Sequence, residues 1–166
     1  MNVIETNAMV LSSIKYGDTS LIVRCFTQNH GLKSFIVKGV FSKKKRNTSL
    51  YFPLAEIELC YQPKSNDQQL VFLKSAQTAY YYESLHFHPI KSAIIFFLAE
   101  ILNLVLKEES ENQDLYLFIE HSLKEFDQKK EDFADFHLVF LIQLTHFLGF
   151  YPNFEEEELP LFDLEN

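Results

Sequence analysis

Residues 7–40 read NAMVLSSIKYGDTSLIVRCFTQNHGLKSFIVKGV. Three apolar-rich runs, residues 8–15, 20–27 and 32–38, are separated by Tyr16-Gly17-Asp18-Thr19 and by Gln28-Asn29-His30-Gly31. Each break combines a glycine with an Asp or Asn, the residues that tolerate the backbone angles of a hairpin. The runs are rich in Val, Ile, Phe and Leu, as strands are. The stretch therefore predicts three consecutive antiparallel strands. The apolar face of such a meander needs cover, so the rest of the chain must close it into a barrel or lie against it.

Downstream, Lys43-Lys44-Lys45-Arg46 puts four cations in a row, which predicts a solvated loop. Residues 51–61 read as a fourth strand with Pro53 near its start, where a missing N–H is tolerable. Pro63 to Asp67 reads as a turn and residues 69–80 as a fifth extended segment. Five short strands match a five-stranded barrel of the OB type, with an SH3-like barrel as the competing architecture.

After Tyr80-Tyr81-Tyr82 the period changes. Pro89 can open a helix, and Ile90, Ile94, Phe97, Leu98, Ile101, Leu102 and Val105 follow a 3.6-residue stripe. Asn112 can cap a second helix whose apolar face is Leu115, Phe118, Ile119, Leu123 and Phe126. Asp132 or Asp135 starts a third, ending at Gly149 with Pro152 beyond it. The reading is an α+β chain of two domains: an OB-fold nucleic-acid-binding barrel over residues 1–82 and an incomplete helical domain over 83–166. The tyrosine run is expected at their seam. The tail from Glu155 to Asn166 carries an acidic run, expected to be solvated, and then Leu161, Phe162 and Leu164, which look like the start of another packed segment.

Composition narrows the function. Apolar residues make up 47% of the chain, enough for a real core. No apolar run approaches the roughly 20 residues of a membrane span, and no basic-then-apolar leader opens the chain, so a cytoplasmic protein is expected. Cys25 and Cys60 read as reduced thiols. Formal charge is −8, but residues 1–80 hold 10 Lys or Arg against 5 Asp or Glu (+5), and residues 81–166 hold 5 against 18 (−13). A basic first half attracts polyanions. No acid/base pair, nucleophile constellation or phosphate-cradling glycine loop stands out, so no enzyme and no cofactor are expected.

The candidate nucleic-acid contacts are Arg24, Lys33, Lys38, Lys43, Lys44, Lys45 and Arg46. Clustered cations neutralise phosphates and gain by releasing counterions. Lys33 and Lys38 differ in strand parity, so without a bulge they cannot share a groove; Lys38, beside the basic loop, ranks first. Arg24 could equally partner an acidic side chain. Phe35, Phe41, Tyr51 and Tyr61 could stack on bases if exposed, or pack in the core. His86 and His88 read as linker residues without a third metal ligand.

Several of these residues carry a resemblance. Val10-Leu11, Tyr16-Gly17-Asp18-Thr19-Ser20-Leu21-Ile22-Val23, Phe26-Thr27, Gly31 and Val37-Lys38-Gly39 with the basic loop behind them resemble the N-terminal barrel of the bacterial recombination mediator family RecO. Leu144-Thr145-His146-Phe147-Leu148-Gly149-Phe150-Tyr151-Pro152 resembles that family's helical domain. The resemblance covers nearly the whole chain, though family members usually continue farther, so the helical domain is expected to be C-terminally truncated relative to them.

The resemblance implies a non-enzymatic mediator in DNA repair. Such a protein binds single- and double-stranded DNA, anneals complementary strands and contacts the C-terminal tail of single-strand-binding protein. With RecR it helps load the RecA recombinase. Many members carry a four-cysteine zinc site after the segment ending in proline; here Asn153-Phe154-Glu155-Glu156 follows, so no metal is carried over. An acidic tail with an apolar end needs a cation beside a hydrophobic pocket, and Lys91, one turn from Ile94 and Ile95, is the lead candidate for that partner. The alternative from another class is an interaction adaptor whose acidic helical half recruits proteins and whose barrel is a scaffold.

Overall fold

A computed structural model describes residues 3–41, 48–63, 70–107 and 111–150. Strands β1 (Ile4–Tyr16), β2 (Ser20–Thr27), β3 (Gly31–Val37), β4 (Glu56–Tyr61) and β5 (Leu70–Thr78) close into a barrel in the order β1-β2-β3-β5-β4. Helices α1 (Pro89–Val105), α2 (Gln113–Gln128) and α3 (Phe136–Phe147) follow. This is the OB-type barrel and helical region that the sequence predicts. The two hairpin turns fall where expected, with Gly17 at φ +62° and Gly31 at φ +63°, backbone angles that side chains resist.

β1 serves two neighbours. Its first half pairs with β4, from Ile4–Tyr61 to Met9–Glu56, and its second half with β2, down to Tyr16–Ser20. The register shifts between Val10 and Ser12, a bulge that bends the strand around the barrel. Ala8 and Val10 face the barrel interior with Val23, Cys25, Phe35, Ile57 and Leu59. Met9 and Leu11 face outward into a second core, where Phe26, Leu32 and Leu54 join Ile95, Leu98, Leu102, Tyr116, Ile119 and Phe126 from the helices. Barrel and helices thus share one apolar layer.

The expected fourth strand begins late. Ser49–Tyr51 is a 3₁₀ turn and β4 starts at Glu56. Pro53 has no N–H to give a ladder, and Leu54 takes φ +56°. That turn lets Leu54 N donate to Val10 O at 2.7 Å while Val10 N donates to Ala55 O at 3.0 Å, so residues 54 and 55 satisfy the backbone at the β1 bulge.

The helix ends follow their sequence signals. Pro89 opens α1 behind His88, whose Nδ1 accepts from Lys91 N at 3.4 Å. Asn112 Oδ1 accepts from Leu115 N at 3.0 Å, the cap expected for α2. Gly149, at φ +78°, follows α3.

The connection into α1 is held by a buried polar cluster. The Asp127 carboxylate near the end of α2 accepts from Glu83 N and Ser84 N at 2.8 Å each and from Leu85 N at 3.1 Å. Burial pushes this carboxyl up, but these hydrogen bonds outweigh it and leave its pKa below the ordinary value. Lys91 Nζ donates to Ser84 Oγ (2.8 Å), Asp127 O (2.9 Å) and Lys129 O (2.6 Å). It also lies 5.4 Å from the Phe126 ring centroid and 5.2 Å from that of Phe133.

A second polar group sits in the seam. Glu56 is 2% exposed, and Lys124 of α2 stands 3.6 Å from its Oε2 while bonding Glu120 at 2.5 Å. Burial pushes the Glu56 carboxyl up to about 7; Lys124 opposes the shift and Glu120 adds to it. Tyr82 and Tyr116 face the same spot, their phenols pushed up by burial and then by Glu56.

Two outcomes follow from these clusters. Asp127→Ala leaves the backbone N–H groups of Glu83, Ser84 and Leu85 without their acceptor, so unfolding free energy should fall by about 3–5 kcal/mol, read from urea titration; a loss under about 1 kcal/mol would contradict the cluster's role. For Glu56 the native state holds a proton between the ordinary value of 4.5 and about 7 that the unfolded chain lacks. Its contribution therefore falls as pH rises through that window and is flat above it. Glu56→Gln should give a flatter stability profile from pH 5 to 8 and a more stable protein at pH 8, and a profile parallel to the native one would count against the buried carboxylate.

Candidate nucleic-acid interface

Met9, Leu11, Phe26 and Leu32 turn the part of the barrel's outer face that they occupy toward the helices. Elsewhere that face carries a row written by the strand registers: Ile14 pairs with Ile22, Ile22 with Ile36, and Ile36 with Phe72. Their neighbours Val23, Phe35 and Val71 lie in the barrel interior, so alternation turns this row outward. Ile14 is 61% exposed and Phe72 41%. Tyr16, at the end of β1, is 54% exposed.

Cations stand beside these apolar groups. Lys38 Nζ lies 4.3 Å from the centroid of the Phe72 ring, a cation–π contact. Lys15 Nζ lies 5.7 Å from the Phe41 ring, and Phe41 N donates to Thr19 O at 3.2 Å, returning the chain to the β1–β2 turn. Between the end of β3 and β5 a groove of about 580 Å³ is lined by Lys38, Gly39, Val40, Leu50, Phe72 and Lys74, among others.

The expected contact residues separate. Lys38 lies in the groove wall. Lys33 pairs with the buried Cys25, on the inward parity of β3, and is half-buried; no register shift interrupts the β2–β3 ladder that would bring it round beside Lys38. Lys43, Lys44, Lys45 and Arg46 lie outside the described residues; the chain enters that loop at Phe41, against the β1–β2 turn.

Arg24 has a different employment. Its Nη1 donates to Asn103 O and Asn103 Oδ1, both at 2.7 Å, and its Nη2 to Leu106 O at 2.9 Å. These acceptors are at the C-terminal end of α1, where carbonyls lack intrahelical partners and cations are favoured. The expected acidic partner is replaced by a helix end. Lys91, expected as a surface cation for a protein partner, is 2% exposed and ringed by internal acceptors; it cannot reach a partner without dismantling the cluster that holds residues 83–85.

The aromatic candidates also move. Phe35, Tyr51 and Tyr61 are buried in the barrel, and Phe41 is half-buried. The aromatics on the open face are Phe72 and Tyr16, which sequence reading did not single out. Strand parity carried the signal for Phe72: within residues 69–80, Val71 and Leu73 pack inward and Phe72 and Lys74 alternate with them.

Family models match both parts of the chain: "Recombination protein O N terminal" over residues 1–82 and "Recombination protein O C terminal" over residues 86–158. The chain is 39% identical to the DNA repair protein RecO of Flavobacterium johnsoniae, over 98% of this chain and 68% of that protein. It is 41% identical to the DNA repair protein RecO of Phocaeicola vulgatus, over 98% of this chain and 68% of that protein. With the protein of the same name from Bacteroides fragilis the identity is 42%, over 92% and 63%.

Arg24→Ala removes a charged donor from the barrel–helix contact. Stability should fall by about 2–3 kcal/mol, measured as the shift in urea midpoint at constant slope. A midpoint unchanged from the native protein would mean that Arg24 does not hold the end of α1.

Proposed function

The chain belongs to the recombination protein O (RecO) family, and from that premise we propose that it works in DNA repair and recombination as a non-enzymatic DNA-binding mediator. In this reading it binds single- and double-stranded DNA, anneals complementary strands and, with RecR, helps load RecA onto strands released from single-strand-binding protein. It works in the cytoplasm and needs no metal or cofactor. The division into a barrel of residues 1–82 and a helical domain of residues 83–166 belongs to the same proposal.

The observation that carries the reading is the open face of the barrel. It sets exposed Phe72 and the isoleucine row beside Lys38 and Lys74, at the side of the barrel that leads into Lys43 to Arg46. Apolar groups accept bases and cations accept phosphates, the combination that single strands require. Duplex DNA is held by the phosphate term alone, since the described residues offer no paired base-reading helix.

The adaptor reading keeps one specific support. Helices α1 and α3 leave Phe97, Leu104, Leu138 and Ile142 exposed, and Phe97 meets His137 across the two helices. In the mediator reading this acidic half is where the single-strand-binding protein's tail and RecR are received, without Lys91 as a contact.

Binding of a labelled oligonucleotide should weaken steeply with salt, and replacing Lys43, Lys44, Lys45 and Arg46 together with Ala should lower both affinity and salt slope while the melting temperature holds. Each lost phosphate contact should reduce the slope by about one. Salt-independent affinity, or a quadruple variant that binds like the native protein, would favour the adaptor.

A further inference from the structure

The groove at the end of β3 exists because two strands part. β3 and β5 run parallel over three pairs, Ser34–Leu70, Phe35–Val71 and Ile36–Phe72. Beyond Phe72, β5 is committed to β4, with Leu73 opposite Tyr61 and Ser75 opposite Cys60 across a register shift. Val37 ends β3, and Gly39, at φ +74°, turns the chain away. Past Ile36–Phe72 the two strands no longer pair, and a groove of about 580 Å³ lies there, lined by residues of both and by Leu50 and Tyr51.

We propose that this groove is a subsite for one unpaired nucleotide of single-stranded DNA, the base stacking on Phe72 and its phosphate held by Lys38 and Lys74. The proposal rests on the reading of the barrel as a DNA-binding domain and adds strand selectivity to it. Three features of the groove fit that occupant together. Its volume lies within the range of small-ligand sites and is large enough for a nucleobase with its sugar. Phe72 offers an exposed ring in its wall, and the Lys38 ammonium already sits 4.3 Å from that ring's centroid. Lys38 and Lys74 both line the groove, and no carboxylate is among its described lining residues, so their charge complements a phosphate.

The chemistry sorts strands without reading sequence. Every base has a face to stack, so stacking on one phenyl ring tolerates all four. A base in a duplex is already stacked and paired, and extruding it costs unstacking energy. Duplex DNA therefore gains the lysines and not the ring. Lys38 exchanges one partner for another: the arriving base takes the ring face, and the ammonium turns to the phosphate beside it.

The test compares Phe72→Ala, Phe72→Leu and Lys38→Met with the native protein. Probes are a single-stranded oligothymidylate, a duplex of equal length, and the same single strand made abasic. Because Phe72 lies on the open face, unchanged melting temperatures are expected. Phe72→Ala and Phe72→Leu should each weaken the single strand by about tenfold, leave the duplex unchanged and abolish the native preference for the base-bearing strand over the abasic one. Lys38→Met should weaken single strand and duplex alike and reduce the salt slope by about one. Equal losses on both DNA forms with the Phe72 variants, or no loss, would overturn the subsite while leaving the barrel a DNA-binding domain. A native protein that binds neither probe would overturn the DNA-binding reading itself, and the subsite with it.

Discussion

One strand holds the architecture together because it must satisfy two neighbours and two cores. β1 pairs with β4 through its first half and with β2 through its second, and the register shift between Val10 and Ser12 allows the turn between them. Without the shift a 13-residue strand would run straight off the barrel. With it, Ala8 and Val10 still face inward, Met9 and Leu11 still reach the helices, and Ile14 emerges on the open face. Leu54 and Ala55 complete the arrangement by bonding the backbone of Val10. The positive φ at Leu54, a strained choice for a branched residue, is over-determined by that pair of hydrogen bonds and by full burial of its side chain.

The helices depend on this arrangement in turn. Met9, Leu11, Phe26 and Leu32 are barrel residues, yet their apolar neighbours are on α1 and α2. Cutting the chain at the linker would expose that layer on both pieces, at roughly 25 cal/mol for each Å² returned to water. Polar groups then fix what apolar packing leaves loose. Asp127 and Lys91 tie residues 83–85 to the end of α2, and Arg24 ties β2 to the end of α1. In both, charge meets backbone rather than opposite charge. Charged groups so used are retained through geometry, because removing one leaves buried backbone groups unsatisfied.

This use of backbone explains which parts of the molecule the sequence made legible. Hairpin turns announce themselves through glycine with Asp or Asn, helix starts through Pro89 and Asn112, and the barrel through five short apolar runs; all are local signals. Lys91 carries no local signal of its role, since its acceptors Asp127 O and Lys129 O lie 36 and 38 residues away. Arg24 likewise meets carbonyls 79 and 82 residues on. A backbone carbonyl has no residue type, so no pattern of side chains could point to it. The aromatic assignments had a different obstacle. Phe35 and Phe72 both occur in short apolar runs, and one is core while the other is exposed. Parity separates them only when the register of each strand is known, and the bulge in β1 shifts parity within a single run.

The charge division of the chain raises a difficulty that Arg24 resolves. The helical half is strongly acidic, and a helix C-terminus adds about half a negative charge of its own. The end of α1 points at the barrel, at β2, two positions along that strand from Ile22 in the open row. A phosphate backbone crossing the row would meet that partial charge at close range, in a region where apolar packing on one side weakens solvent screening. The Arg24 guanidinium places three short hydrogen bonds on this terminus and cancels its field locally. Under the proposed DNA-binding function, Arg24 would favour a polyanion without touching it: Lys38 and Lys74 would act on an approach where the negative end of α1 is already offset. Acidic helices and a barrel proposed to bind DNA can then share one core, because a positive charge, Arg24, stands at the boundary between them.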